Sequence, residues 1–399
     1  MKRLQRHTCA ILISAVTALH ACSGISLHAQ ELTMPERWKT SLVSVPPLFA
    51  EDTLVIRILG DIMMHEKQIS HACQNGNYDF HSYFSHVADK IMQADLAVAN
   101  MEFTLAGEPY TGYPSFSAPD SFAGFLADCG FDVFLAANNH IFDKGTLGAE
   151  RTIGMYRELS GSKGIRFTGI AGDETESDET TPLILRKKGI RIAFLNATYG
   201  TNVGLATQWP KTVRLSSESE LKKALNKAED ACSDLTIVLP HWGEEYILRH
   251  SQAQEKAAGW FAENGADMII GAHPHVIQDI QILKVGRNGR EQSVPVAYSL
   301  GNAVSNMSAA NTQMGLMATV RVVRESDGDI RTLPLELTYL WCSRPGGYDD
   351  GYTVIPVADF IGRRDEWQGK WDYDKMLSTY RYVSRETGIQ DKDIKIINE

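Results

Sequence analysis

The chain has 399 residues, 43% hydrophobic and 22% charged, a composition that excludes disorder and collagen-like repeats and is long enough to bury one large core or two smaller ones. Its formal net charge of -10 argues against a nucleic-acid partner, because phosphate backbones are bound by an excess of Lys and Arg that this chain lacks.

Lys2, Arg3 and Arg6 precede an apolar run from Cys9 to Leu19, the pattern of a secretory signal and too short for a membrane span. The run ends Leu19-His20-Ala21-Cys22-Ser23, similar to a bacterial lipobox that would acylate Cys22 and anchor the chain to a membrane. The alternative is ordinary cleavage near Ala29. Either way the mature protein is expected outside the cytoplasm. Residues 1–22 are thus read as a signal peptide with lipobox, and 23–51, rich in Ser, Pro and Glu, as a linker. Cys73, Cys129, Cys232 and Cys342 are widely spaced without a Cys-x-x-Cys and read as scattered thiols rather than a disulfide framework.

From Thr53 onward strand-like and helix-like segments alternate. Leu54–Leu59 is a predicted strand, Phe80–Gln93 a helix, Asp95–Ala99 a strand, Phe122–Cys129 a helix stopped by Gly130, Val133–Ala137 a strand and Thr146–Leu159 a helix. Then come strand Gly189–Asn196, helix Ser217–Cys232, strand Leu235–Leu239, helix Ser251–Asn264 and strands Asp267–Ile270 and Val294–Ser299. Two alternating runs, Gly315–Val323 and Arg331–Leu340, read as antiparallel strands completing a second sheet. The pattern is that of layered α/β sheets flanked by helices, with residues 52–340 as the main domain. Residues 341–399, ending in a helix near Tyr373–Arg385, are expected as a C-terminal extension.

Ligand-type residues recur at the ends of these strands. Gly60-Asp61 follows the first, Asn100-Met101-Glu102 the second and Asn138-Asn139-His140 the third; Pro240-His241-Trp242-Gly243 and Gly271-Ala272-His273-Pro274-His275 follow later ones. Alone, each has an ordinary explanation as a turn former, cap or solvated charge. Five strand ends all bearing carboxylates, amides and imidazoles point instead to one metal site at the rim of a sheet.

These five motifs in this order, followed by Ser299-Leu300-Gly301-Asn302, resemble the CapA group of capsule or poly-γ-glutamate synthesis proteins, over about Leu54 to Val320. That group is similar to the calcineurin-like metallophosphoesterases, and the resemblance implies a four-layer αββα sandwich carrying one or two divalent metals (Mn, Fe or Zn). It implies that Asp61 binds one metal, Glu102 bridges, Asn139, His241 and His273 complete the second metal, and His275 returns to the first. His140 would protonate the leaving oxygen with Asp143 orienting it, and Tyr199, Trp242 and Glu245 fall at recurrent positions read as substrate-binding. Trp242 could equally pack in the core, and Asn302 could contact substrate or cap a turn.

One departure matters. Where those phosphoesterases carry Asp-x-His, Asp61 is followed by Ile62-Met63, and a thioether is a poor ligand for Mn, Fe or Zn ions. His65 could replace the missing imidazole if the loop turns helical; otherwise it is a surface or phosphate-contacting residue. The expected function is an exported metal-dependent protein of capsule or polyanionic envelope polymer synthesis with phosphoesterase-like hydrolase or transfer chemistry. Its expected partners are an envelope polymer or a phosphorylated small substrate, a membrane through the lipid anchor, and a synthase complex. The alternative is a non-catalytic scaffold subunit of a polymer synthase or export complex.

Overall fold

The computed structural model describes residues 53–287, 289–325 and 328–389; the signal peptide, lipobox and linker expected in residues 1–51 lie outside the described residues. Among the described residues no helix is long and apolar enough to cross a membrane. Cys73, Cys129, Cys232 and Cys342 are free thiols.

Two sheets form the centre. In the first, β1 (Thr53–Ile62) is flanked on one side by β2 (Leu96–Met101), β3 (Val133–Leu135) and β4 (Arg166–Thr168), all parallel. The second runs through β5 (Leu183–Lys187), β6 (Ile190–Thr198), β7 (Leu235–His241), β8 (Met268–Ile270), β10 (Arg290–Ala297) and β9 (Ile280–Arg287), with β6, β7, β8 and β10 parallel. Side chains alternate between the faces of a strand, and the inner strands β2, β3, β6, β7 and β8 are buried on both, whereas β5, β9 and β10, at or next to the edges of the second sheet, carry exposed residues. Ile56, Ile58, Val98 and Leu135 meet Ile192, Phe194, Ile237 and Ile270 in the layer between the sheets.

The outer face of the first sheet, through Ala97, Ala99, Met101 and Phe134, packs on helices α1 (Asp120–Asp128) and α2 (Gly145–Lys163) by way of Phe122, Leu126, Ile153 and Tyr156. The outer face of the second, through Leu195, Val238 and Ile269, packs on α3 (Glu218–Asp230) and α4 (Gln252–Glu263) by way of Leu221, Leu225 and Phe261. The result is an αββα four-layer sandwich.

Three sequence expectations differ from the structure. The long antiparallel strands β12 (Met314–Arg324) and β13 (Glu336–Ser343) extend the first sheet beside β1 instead of completing the second, with Leu54 opposite Val322 and Ile58 opposite Ala318. Alternation identifies a strand but not its neighbour, which is settled by which sheet edge is open. The helix expected over Phe80–Gln93 is a run of turns ending in a short helix, Ala88–Met92. Its apolar spacing serves instead to bury Phe80, Tyr83, Phe84 and Val87 against α1. Position 341, the expected start of an extension, lies inside β13, and β14 (Thr353–Pro356) adds a further strand to the sheet. Trp341, Ile355, Trp367, Tyr373 and Met376 then join the layer between the sheets, the last two from α5 (Lys370–Thr387).

Candidate metal centre

Parallel strands all end at one edge, so their C-terminal tips deliver side chains to one place. Asp61 sits at the end of β1, Glu102 follows β2, Asn139 and His140 follow β3, His241 ends β7, and His273 and His275 follow β8. All are buried, Asp61 and Glu102 completely. The two sheets are tied together here, where the His273 backbone N–H donates to Asp61 Oδ2 at 3.1 Å.

Close backbone approach makes this convergence possible. A Cβ on Gly60 would lie 1.8 Å from the Gly301 carbonyl oxygen, and one on Gly271 would lie 2.1 Å from that of Tyr298. His273 and His275 are not in regular extended backbone; both have positive φ, 100° and 57°. Such conformations in non-glycine residues store strain and gather where a side chain must be aimed.

The two carboxylates are treated differently. Asp61 Oδ1 accepts from Asn100 Nδ2 at 2.7 Å, and Oδ2 lies 3.4 Å from His275 Nδ1. Glu102 has no hydrogen-bond partner on either oxygen, although Oε1 lies 3.5 Å from His241 Nε2 and 3.7 Å from His275 Nε2. The Nδ1 of His273 is likewise buried without a partner. An orphaned buried carboxylate is costly unless something cationic completes it. Three groups, Glu102 with His241 and His273, Asp61 with Glu102 and His275, and Glu245 with His273 and His275, each bring their three ligand atoms within 4.8 Å of one another. Asn139 Oδ1 joins the first group, 2.8 Å from His241 Nε2. Oxygen and imidazole donors of this kind fit a borderline divalent cation.

Proton distribution follows from this geometry. Burial alone would raise the Asp61 carboxyl, but the His275 hydrogen bond and the charges of His241 and His275 outweigh it and hold it at about 2. Burial, reinforced by the Asp61 charge, pushes Glu102 up to about 8. Burial lowers His241 to about 3 and, with the neighbouring imidazoles, drives His273 well below the ordinary histidine value. His275 goes the other way: burial would lower it, but Glu102 and Asp61 raise it to about 9. At neutral pH His275 is therefore an imidazolium between two carboxyl groups and holds the place of a cation. A divalent ion must displace the protons of His275 and Glu102, so its affinity should climb between pH 6 and 9, by roughly tenfold per pH unit for each proton released. Titration calorimetry with Mn²⁺ in buffers of different ionisation enthalpy counts those protons, and a flat pH profile would contradict this assignment.

His140 lies beside the cluster with its Nδ1 2.7 Å from Asp143 Oδ2, and that oxygen is also fixed by the Phe116 N–H at 2.8 Å. A carboxylate at this distance requires Nδ1–H, which leaves Nε2 for proton exchange. Tyr199 is 46% exposed and its ring centroid lies 4.6 Å from that of His273, at the mouth of the centre. Glu245 is exposed and approaches His273 and His275 as a third ligand group. Trp242 is withdrawn instead: it is buried on Tyr298 and donates its indole N–H to the Tyr298 carbonyl at 2.9 Å. Met63 is buried in the core on the outer face of the first sheet. His65 is half-buried and in none of these ligand clusters; its Nδ1 meets Gln68 Oε1 at 3.1 Å, ahead of the short helix Glu66–Ala72.

Two amides, Asn100 and Asn202, were not legible as site residues, and Asn302 was legible only as a substrate contact or a turn cap. Asn100 Nδ2 joins Asp61 to His241 Nδ1 at 3.2 Å, and Asn202 lies 3.2 Å from His140 Nδ1. Asn302, whose strand β11 (Asn302–Val304) pairs with β1, accepts from His275 Nδ1 at 3.0 Å, while its Nδ2 donates to the Thr312 carbonyl in the turn before β12 at 3.0 Å. Asparagine is so common in turns that spacing alone cannot single out one aimed at an imidazole. Asn302→Ala should lower divalent-cation affinity by roughly 10- to 100-fold through loss of ring orientation, a change readable by calorimetry.

Residues 55–307, more than half of the chain, match the family model described as bacterial capsule synthesis protein PGA_cap. The chain belongs to that family. It is 28% identical over 298 residues to the capsule biosynthesis protein CapA of Bacillus anthracis, covering 72% of this chain and 68% of that one. It is 24% identical over 299 residues to the PGA biosynthesis protein CapA of Bacillus subtilis, covering 72% and 73%. Among solved structures it is similar to the NAD nucleotidase of Haemophilus influenzae, with a TM-score of 0.44 and 13% identity over 84% of this chain and 68% of that one. It is also similar to a 5'-nucleotidase precursor from Thermus thermophilus, with a TM-score of 0.40 and 12% identity over 84% and 59%. The protein is thus a capsule-synthesis family member with an αββα fold and a candidate divalent-metal centre.

Proposed function

We propose that this chain is an exported, lipid-anchored, divalent-cation-dependent hydrolase or transferase of phosphoester-like bonds, working at the cell envelope in the synthesis or attachment of a polyanionic capsule polymer. The observation that carries the reading is Glu102, a fully buried carboxylate with both oxygens unpartnered among imidazoles, next to a His–Asp pair. The residues that would hold the cation are Asp61, Glu102, Asn139, His241, His273 and His275, with Glu245 as a further candidate. A bound divalent ion supplies Lewis-acid neutralisation of a phosphoryl group and lowers the pKa of water. The chain's own residues do the rest. Asp143 fixes the tautomer of His140, His140 Nε2 hands a proton to the departing oxygen, and Tyr199 lines the entrance. The metal is expected to be Mn, Fe or Zn, and poly-γ-glutamate is the polymer named by the family resemblance.

A scaffold reading is favoured by one observation. Met63 is buried in the core, so the first position lacks the imidazole that phosphoesterases place there. Elemental analysis of the purified protein, with p-nitrophenyl phosphate hydrolysis under Mn²⁺, Zn²⁺ and Fe²⁺, separates the two. An apo protein without turnover under any of these ions would retire the enzyme and leave the scaffold.

A further inference from the structure

Two guanidinium nitrogens of Arg344 have no hydrogen-bond partner among the described residues. Arg344 follows directly after Ser343, the last residue of β13, and lies outside the residues 55–307 that match the family model. The residue as a whole is half-buried, yet its Nε and Nη2 are shielded from water and have no hydrogen-bond partner. These two N–H groups share one edge of the guanidinium, the edge that meets two oxygens of a single carboxylate or phosphate side-on. Leaving such a pair unanswered is costly, as for Glu102.

The place is tied to the metal centre. Cys342, two residues before Arg344, directs its thiol at the Ser305 carbonyl at 3.5 Å, and Ser305 Oγ accepts from Asn302 Nδ2 at 3.1 Å. Asn302 is the amide that holds His275. The next residue, Asn306, donates its backbone N–H to His65 Nδ1 at 3.3 Å and accepts from the Tyr352 hydroxyl at 2.9 Å. His65 in turn packs edge-on against Phe116, with centroids 5.2 Å apart, and Phe116 against His140 at 4.7 Å. Burial chiefly holds His65 down at about 4, and Arg344, His275 and His140 all contribute, so Arg344 and the centre lie within electrostatic reach of one imidazole.

We infer that the Nε–Nη2 edge of Arg344 is an anion subsite of this centre, receiving a two-oxygen anionic group, carboxylate or phosphate, of the same substrate whose reacting bond lies at the cation. The inference rests on the catalytic reading above and extends it. The substrate carries a second negative group beyond the one that reacts, and the segment after residue 307 supplies its recognition. Loop 302–307 connects that group to His275.

Calorimetric titration of the full chain with orthophosphate and, separately, with glutarate tests this without turnover. At least one anion should bind the wild type and lose roughly tenfold or more in affinity in both Arg344→Met and Arg344→Lys. Lysine keeps the charge but cannot present the fork. Mn²⁺ affinity should be unchanged in both variants. Preference for orthophosphate assigns the subsite to a phosphoryl group, and preference for glutarate to a carboxylate. Full affinity in Arg344→Lys, or no binding of either anion to the wild type, overturns the subsite. If Arg344→Met does not fold, Arg344→Lys alone decides. Failure of the catalytic reading would look different: anion binding that depends on Arg344, with no metal uptake and no hydrolysis.

Discussion

Glu102→Gln should make the cation-free protein more stable, by about 1–3 kcal/mol near pH 8, while abolishing stabilisation by added divalent ions. Asp61→Asn, a like change a few ångströms away, should destabilise it by about 3–5 kcal/mol. Both carboxylates are fully buried, and the difference is in their partners. Asp61 accepts from Asn100 and from the His273 N–H and faces the His275 imidazolium, so an amide there would set N–H against N–H. Glu102 has no hydrogen-bond donor at all, so neutralising it removes a desolvation cost and loses no bond.

The pH dependence carries the same signature. The folded-state pKa of Glu102 is raised to about 8, so its contribution to stability is fully present below the unfolded value near 4.5 and lost as pH rises through about 8. His275, raised to about 9, adds a second loss between its unfolded value near 6.5 and about 9. Asp61 is depressed, so its contribution is present above its unfolded value near 3.8 and lost only as pH falls towards about 2. Between about pH 4 and 6.5 the lowered histidines His241 and His273 act in the opposite sense and add stability as pH rises, so the test lies above that window. Chemical denaturation of chelator-treated protein from about pH 6.5 to 9 should show stability declining with pH, less steeply up to about pH 8 in Glu102→Gln. A wild-type stability that rises across that range, or a slope unchanged in Glu102→Gln, would refute the assignment of Glu102 as a buried, cation-seeking group.

His140→Ala should lower kcat for an alkyl phosphate ester by roughly 10²–10⁴-fold, the usual worth of a positioned general acid. The loss should be smaller for p-nitrophenyl phosphate, because p-nitrophenolate departs with little need of a proton. Asp143→Asn should follow the same leaving-group pattern with a smaller loss, roughly 10- to 100-fold. Its carboxylate holds Nδ1–H of His140 at 2.7 Å and touches no ligand residue among the hydrogen bonds described. Mn²⁺ affinity should stay close to wild type in both. Steady-state kinetics across a series of leaving groups, paired with calorimetry, reads this directly, and equal losses on good and poor leaving groups would remove His140 from the acid role.

Much of the centre is written locally. Asp61, Glu102, Asn139, His140, His241, His273 and His275 each stand just after or at the end of an apolar strand, and a sequence can show a strand ending in a ligand. The supporting amides are written nowhere so plainly. Asn100 and Asn302 act through the direction of one N–H or carbonyl, which depends on a partner 39 to 141 residues away for Asn100 and 27 for Asn302. Trp242 and Glu245 exchange importance for the same reason. Gly271 lets the indole close down on Tyr298 and leaves the exposed glutamate beside the imidazoles.

The sequence by itself determined the alternation of strands and helices, the order of the ligand motifs and the absence of an imidazole at position 63, because each depends on periodicity or residue identity within a few positions. Only the tertiary structure decided that β12 and β13 extend the first sheet, that the chain beyond Trp341 belongs to the core, that Glu102 is orphaned where Asp61 is satisfied, and that Cys342, two residues before Arg344, meets the loop holding His275. Those are questions of which distant groups meet and which are left unpaired, and the free energy of a buried charge is set by its neighbours in space, not by its neighbours in the chain.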